Sequence, residues 1–257
     1  MSLDDLPTRA AGAAIVARDA GKLALEYFHR RSELAIERKG LQDLVSEADR
    51  EVENLIRAVL GALFPGESML GEEGGGGEAD HLWIIDPIDG TANFLRGLPY
   101  WSVTLAYRHE GELMVGATYD PVHDELFLAT KGFGCLRNAR PVSAATTNRP
   151  ESACIGLSYT FKHDRAHYAA IVKGIVEAGF DHRRLGSSAL SLCHLADGRL
   201  DGVIIPYAHI WDVAAGILIA REAGAICSDF MPDGDITRPA GLRASTTGLQ
   251  AELERIG

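Results

Sequence analysis

Two aspartates, Asp86 and Asp89, stand three residues apart in the run Trp83-Ile84-Ile85-Asp86-Pro87-Ile88-Asp89-Gly90-Thr91. A hydrophobic strand leads straight into them, and strand ends that meet helix starts are where α/β proteins place ligands. Pro87 reads as a fixed turn that keeps both carboxylates near one point. Carboxylates held close repel each other, which raises one pKa, and a hard divalent cation removes that repulsion. Oxygen-only donors with no His or Cys beside them point to Mg2+ rather than zinc. Gly90 and Thr91 open the next segment, Ala92 to Leu95, and offer backbone N–H groups suited to a phosphate. The same Asp, Pro and Gly residues also compose an ordinary turn.

Three more acidic features accompany this run: Asp43-Leu44-Val45-Ser46-Glu47-Ala48-Asp49, Gly71-Glu72-Glu73, and Trp211-Asp212-Val213-Ala214-Ala215-Gly216. Each has a local reading. Ser46 with Asp49 three later fits a capping box, Asp212 fits a helix N-cap, and Glu72 and Glu73 fit solvated loop charges. No local reading explains why they occur together in this order.

The elements that must position these residues follow from periodicity. Ala13, Val16, Ala17, Ala20, Leu23, Ala24, Tyr27 and Phe28 predict a first helix, and a second runs from Ser46 to Leu63, ended by Phe64-Pro65-Gly66. Glu37 to Val45 reads as a short hairpin or loop, and Gly74 to Gly77 as a flexible loop. Strands are predicted over 81–86, 102–108, 112–119 and 125–130, with a turn at Asn138–Pro141. From 152 onward strands and helices alternate: strands at 153–158, 181–185, 202–206, 225–229 and 242–245, helices at 164–178, 188–196, 212–223 and 248–256. The first half is therefore α+β-like and the second α/β. A boundary near 145 divides residues 1–145, which carry most of the candidate ligands, from residues 146–257, which carry Asp212, and the halves share an interface.

The 257 residues include 25 Lys and Arg against 36 Asp and Glu, a formal charge of −11. That acidity argues against direct nucleic-acid binding. No stretch approaches the ~18 uninterrupted apolar residues of a membrane span, and Met1 to Arg9 lacks the pattern of a secretory signal. Cys135, Cys154, Cys193 and Cys227 form no C-x-x-C and read as reduced, buried thiols of a cytoplasmic protein. The scattered histidines form no zinc motif.

Taken together, D-L-V-S-E-A-D, G-E-E, W-I-I-D-P-I-D-G-T-A-N-F and W-D-V-A-A-G resemble the inositol monophosphatase family of Mg2+-dependent, lithium-sensitive phosphatases, with motifs spanning residues 43 to 216. The resemblance implies a layered α-β-α-β-α sandwich of the inositol monophosphatase and fructose-1,6-bisphosphatase type, and a homodimer. It implies that Glu72, Asp86, Asp89, Asp212 and the carbonyl of Ile88 hold two or three Mg2+ per site. Asp86 bridges two ions, and Asp49 and Thr91 activate a water, with Glu72 also at the catalytic centre. Gly90 and Thr91 hold the phosphate, and Asp43 and Glu73 support from behind. A metal pair clamps attacking and leaving oxygens, so no nucleophilic side chain is needed and direct in-line attack by water is expected. The haloacid dehalogenase type of phosphatase, with D-x-D-x-T, has its carboxylates two apart and does not fit.

For the substrate, the resemblance points to Gly186, Ser187 and Ser188, with Ser188 where the family usually has alanine. Seven residues before Asp212, where inositol and histidinol phosphatases carry a substrate-binding glutamate, this chain has Ile205; Tyr207 or His209 is the candidate replacement. An apolar residue accepts no hydrogen bond, and a buried unpaired hydroxyl costs about 1–3 kcal/mol. The expected activity is hydrolysis of a small sugar or polyol phosphate of the inositol 1-phosphate kind. Alternatives are histidinol phosphate, a 3′-phosphoadenosine nucleotide or fructose 1,6-bisphosphate, or a transcription- or RNA-associated regulatory role.

Overall fold

The outermost layer is a pair of helices, α1 (Leu6–His29) and α2 (Glu47–Leu63). These belong to a computed structural model that describes residues 5–33, 36–40, 43–160, 164–230 and 234–256. Leu6, Ala10, Ala13, Ala17, Ala20, Ala24 and Phe28 recur every three or four residues along α1 and are buried. The helix starts seven residues before the predicted Ala13, because Pro7 suits a first helical turn, where no N–H is required. On α2 the buried stripe is Ala48, Asp49, Val52, Glu53, Ile56 and Leu60, so two carboxylates lie on its inner face. Strands β1 (Ile36–Gly40) and β2 (Asp43–Ser46) pair antiparallel between the helices, the hairpin among the two predicted options.

Under these helices lies a seven-stranded sheet in chain order: β3 (Ser68–Gly71), β4 (His81–Asp89), β5 (Ser102–His109), β6 (Glu112–Asp120), β7 (Glu125–Thr130), β8 (Cys135–Arg137) and β9 (Arg140–Val142). The pair β3–β4 is parallel and the others are antiparallel. Side chains alternate as the pleat requires. Trp83, Ile85, Val103, Leu105 and Tyr107 pack towards α1 and α2, while Leu82, Ile84, Ala106 and Phe127 pack on the other face. Strands β3, β8 and β9 were not predicted. They are three or four residues long, too short to display a period of two; Asn138 and Ala139, both at positive φ, make the tight turn between β8 and β9.

The third layer is α5 (Ser188–Ala196) and α6 (Ile210–Glu222), and the fourth is a five-stranded sheet. Its order is β11 (Asp181–Arg183), β10 (Cys154–Leu157), β12 (Gly202–Ala208), β14 (Ala240–Ser245), β13 (Ile226–Cys227). Helix α6 is apolar all round because both sides are covered: Ala214, Ala215 and Leu218 meet the first sheet, and Val213, Ile217 and Ala220 meet the second. Outside lie α4 (Arg165–Glu177) and α7 (Gln250–Glu254), whose Ile171, Ile175 and Leu253 pack on Ile155 and Ile204. The result is the expected α-β-α-β-α stack. Among the described residues no helix is long and apolar enough to cross a membrane. None of the four cysteines is in a disulfide, and burial pushes the Cys135 thiol up to about 12 and that of Cys193 well above its ordinary value.

Candidate functional site

Strand β4 does not end at Asp86 as predicted, nor does Pro87 make a turn. The strand runs to Asp89 with an irregular register: Asp86 faces Thr104 and Asp89 faces Ser102, so three steps on β4 match two on β5. In a regular strand, residues three apart point to opposite faces. The extra residue of this bulge cancels that alternation, and a bulge also tolerates proline. Asp86 and Asp89 thereby become electrostatic neighbours. Gly90 follows at φ +98, a left-handed conformation that ends the strand and starts α3 (Thr91–Arg96).

The parallel neighbour β3 ends opposite the same point. Gly71 is paired with Ile85, and the Glu72 N–H donates to the Ile85 carbonyl at 3.3 Å. What holds the following turn is Glu53, a residue the sequence reading missed. Its carboxylate, 2% exposed, accepts from the Glu73 N–H at 2.8 Å, the Gly74 N–H at 2.9 Å and Arg57 Nε at 2.7 Å. Arg57 Nη2 donates to the Gly75 carbonyl at 2.7 Å. The turn predicted to be a flexible loop thus begins with a clamped stretch, and a Cβ on Gly71 or Gly74 would fall 2.3 or 2.6 Å from Glu53 Oε1. The available signal was position: Glu53 lies four residues after Asp49, on the apolar stripe of α2 rather than its polar face.

Asp49 is buried at the start of α2, where the Thr91 hydroxyl stands 3.3 Å from its Oδ1 and 3.0 Å from the Ile88 carbonyl. A hydroxyl has one proton, so Thr91 donates fully to only one of these at a time. Asp89 reaches across to the second half of the chain. It accepts from the Ser187 hydroxyl, from the Ser188 N–H at 3.2 Å and from the Ala189 N–H at 2.9 Å, capping the positive end of α5. Asp212 is not the N-cap of α6. His209 holds that position, and Asp212, in the first turn, accepts the His209 N–H at 2.7 Å through Oδ2. Of Asp43 the structure describes the backbone alone, in β2.

Burial pushes the Asp86 carboxyl well above the usual range, and the negative charges of Glu72, Asp89, Asp212 and Asp49 add to it in that order. Burial likewise raises Asp89 to about 6, against the pull of its hydrogen bonds from Ser187, Ala189, Ser188 and Leu190. Five carboxylates from β4, the end of β3, α2 and α6 therefore share one negative region. Among the described residues no three His, Cys, Asp or Glu side chains are gathered as ligands of one ion. Asp86 instead accepts the Ile88 N–H at 3.0 Å, Asp89 accepts N–H groups at the start of α5, and Asp212 accepts the His209 N–H. The donor chemistry still suits a hard divalent cation: all oxygen, buried, and destabilised by its own charge.

Beside Asp89 opens a cavity of about 800 Å3. Gly186 and Ser188 line it, and Ser188 Oγ meets Ser158 Oγ at 3.1 Å. Ser187 does not line it; it is 1% exposed, and its hydroxyl donates to Asp89 and accepts the Leu190 N–H. Gly186 sits at φ +92. Asn93, also missed, ties the halves together by donating from Nδ2 to the carbonyls of Tyr100 and Leu185, each at 2.8 Å. His209 is stacked on Trp211 at 4.6 Å, outside the cavity lining. Ile205 is fully buried in the apolar layer between α6 and the second sheet.

The sequence pattern of the inositol monophosphatase family matches residues 5–256. A Vibrio cholerae protein named Nus factor SuhB is 36% identical over 248 residues, covering 93% of this chain and 92% of that one. A Mesorhizobium japonicum protein named inositol-1-monophosphatase is 34% identical over 242 residues, covering 92% and 91%. Among solved structures, native extragenic suppressor protein suhB from Bartonella henselae superposes with a TM-score of 0.89 at 32% identity, over 99% of this chain and 98% of that chain. The inositol monophosphatase from Anabaena gives 0.85 at 28% identity, over 98% and 95%.

Proposed function

Because this chain belongs to the inositol monophosphatase family, we propose that it is a Mg2+-dependent, lithium-sensitive phosphomonoesterase acting on a small sugar or polyol phosphate. The observation that carries this reading is the buried Asp86 carboxylate, set among the charges of Glu72, Asp89, Asp212 and Asp49. The carboxylates of Glu72, Asp86, Asp89 and Asp212, with the Ile88 carbonyl, would hold two or three ions. When bound, Mg2+ polarises the phosphoryl oxygens and acidifies water. Asp49 orients the attacking water and takes its proton, and the Thr91 hydroxyl, 3.3 Å away, fixes the Asp49 carboxylate. The N–H groups of Gly90 and Thr91 take phosphoryl oxygens. Asp43 and Glu73 support the site, Gly186 and Ser188 contact the leaving alcohol, and Ser187 serves by holding Asp89. The working form is a homodimer in the cytoplasm.

The test is phosphate release across inositol, histidinol, nucleotide and sugar phosphates, with Mg2+ and with or without Li+. Asp89→Asn is expected to abolish turnover in a folded protein; more than a few per cent of residual activity, or a trapped phosphoenzyme, refutes the assignment.

The relatives named Nus factor SuhB favour a second reading, a transcription-associated role partly independent of catalysis. The net charge of −11 directs that role towards a protein partner rather than bare nucleic acid. Recovery of transcription-complex proteins from lysate, undiminished in Asp89→Asn, supports it, and their absence counts against it.

A further inference from the structure

The imidazole of His194, on α5, takes no part in the proposed hydrolysis, yet both of its nitrogens have partners. Arg199 Nη1 lies 2.9 Å from its Nε2. A guanidinium only donates, so Nε2 accepts and, in the neutral ring, Nδ1 carries the proton. The ring is neutral at pH 7, because burial first and then the charge of Arg199 hold it down to about 4. Nδ1–H therefore donates to the Tyr100 hydroxyl at 3.2 Å, with the two rings edge to face at 5.4 Å. The Tyr100 hydroxyl also bonds to Ser191. Ser191 Oγ gives its own proton to the Ser187 carbonyl at 2.6 Å, so it accepts that of Tyr100. Ser187 donates from its hydroxyl to Asp89. Each proton has one acceptor, and every donor points from Arg199 towards Asp89.

Both ends of this chain are anchored. At the outer end Asp197, the C-cap of α5, accepts from Arg199 Nε at 2.9 Å and from Arg137 Nη1 at 2.5 Å, and Glu125 accepts from Arg199 Nη2 at 2.6 Å. Arg137 and Glu125 belong to β8 and β7, so the arginine that orients His194 is fixed to the first sheet. At the inner end Ser187, Ser191 and His194 recur at i, i+4 and i+7, which places them on one face of α5. Tyr100 is the link between two helices: its carbonyl accepts from Asn93 of α3 at 2.8 Å, while its hydroxyl serves α5. Hydrogen bonds that all point one way polarise one another.

We propose that Tyr100 and His194 are positioning residues for Asp89: the one-way chain from Arg199 through His194, Tyr100 and Ser191 sets the Ser187 turn, and with it the carboxylate that would hold Mg2+. The proposal rests on the phosphatase reading for the metal and adds to it the residues that fix one ligand from behind.

The experiment measures Mg2+ binding to the metal-free protein by calorimetry, at a temperature where circular dichroism shows every variant folded. Tyr100→Phe and His194→Leu are each expected to raise the Mg2+ dissociation constant about fivefold, below the ~10–100-fold typical of groups bonded directly to metal ligands. His194→Gln, which keeps one donor and one acceptor, should fall closer to wild type. The double variant Tyr100→Phe, His194→Leu should lose no more than either single one, because both cut the same chain. Ile175→Ala, in the outer layer packed on the second sheet, lowers stability without touching the chain and should leave the constant unchanged. Equal constants in Tyr100→Phe and wild type overturn the proposal. So do an equal rise in Ile175→Ala, which would make the effect one of general stability, and fully additive losses in the double variant. A change in oligomeric state with Mg2+ binding intact also overturns it, assigning Tyr100 to a contact between copies. If the wild-type protein binds no Mg2+, the phosphatase reading fails instead, and nuclear magnetic resonance decides the chain. The Nδ1–H tautomer at His194, with amide shifts of Ser188 and Ala189 that move in Tyr100→Phe, supports it; the Nε2–H tautomer or unmoved amides reject it.

Discussion

Replacing Glu53 with glutamine changes one atom type in a buried carboxylate and tests whether the clamp on the Glu72 turn matters to metal binding. Oε1 accepts from Gly74 N–H and Arg57 Nε, and Oε2 from Glu73 N–H. The amide does best by keeping its oxygen at the Oε1 position, which sets its NH2 against the Glu73 N–H, donor facing donor. An unsatisfied buried N–H costs about 1–3 kcal/mol. Arg57 also loses its ionic partner, which adds on the order of 1 kcal/mol because the guanidinium is partly solvated. A total of about 2–4 kcal/mol corresponds to a fall in Tm of roughly 5–15 °C for a chain of this size. The more specific consequence concerns Glu72, which directly precedes the released N–H. Loss of groups that orient metal ligands typically costs ~10–100-fold in affinity or activity, so half-saturation by Mg2+ is expected to rise at least tenfold. The assay is phosphate release against Mg2+ concentration at a temperature where circular dichroism shows the variant folded. Arg57→Lys keeps the charge but loses the bond to the Gly75 carbonyl, and its Mg2+ requirement should fall between the two. A lowered Tm with Mg2+ half-saturation within twofold of wild type would refute the argument, leaving Glu53 a merely structural residue.

Three further outcomes follow from the junction of the two halves. Asn93→Asp places a carboxylate against the carbonyls of Tyr100 and Leu185, both of which now receive an N–H; a loss of about 3 kcal/mol or more is expected by urea denaturation, and a change under 1 kcal/mol would show that the bridge is dispensable. Gly186→Ala adds a Cβ 2.7 Å from Asn93 Nδ2 at φ +92, expected to cost about 1–3 kcal/mol; a Tm equal to wild type contradicts this. His194 is held down to about 4, first by burial and then by Arg199, whose guanidinium donates to Nε2 at 2.9 Å. Its folded pKa lies below the unfolded value of about 6.5, so its contribution is complete above pH 6.5 and is lost as pH falls from 6.5 to 4, by up to about 3 kcal/mol. In His194→Gln the slope of stability with pH should flatten across that window, and an unchanged slope rules His194 out as its source.

The parts of the site legible in the sequence are those that one short segment presents by itself. Asp86 and Asp89 announce themselves because a hydrophobic strand running into two carboxylates has no packing explanation. Their mutual placement was read as a turn at Pro87, since proline ordinarily ends a strand, and only the pairing register with β5 exposes the bulge. Residues whose role depends on a distant partner were silent. Asp89 meets Ser187 98 positions away, and Asn93 meets Leu185 92 positions away. Glu53 was a middle case: its place on the buried stripe of α2 was readable, but the two N–H groups it serves lie 20 and 21 residues on, beyond β3. The short strands β8 and β9 failed for want of length, and the first turns of α1 were not legible because between Leu6 and Ala13 they hold only Pro7, Thr8, Arg9, two alanines and Gly12, with no bulky apolar residue to repeat the period.

The same distances explain how the fold and the site depend on each other. Asp89 sits on the first sheet, while the N–H groups it accepts open α5, which packs between that sheet and the second. Burying Asp89 without those partners would carry the cost of an uncompensated charge, several kcal/mol. The buried place of Asp89 therefore depends on α5, and α5 is backed by the second sheet through Leu192 and Leu195. Neither half of the chain holds the carboxylate arrangement by itself: the first half brings Asp49, Glu72, Asp86 and Asp89, and the second brings Asp212 and the helix end that tolerates Asp89 in a buried place. A site so divided makes folding of both halves a condition of activity. It also leaves the cavity between α3 and the 184–188 segment lined by residues of both halves, Ala92 and Arg96 from the first and Gly186 and Ser188 from the second.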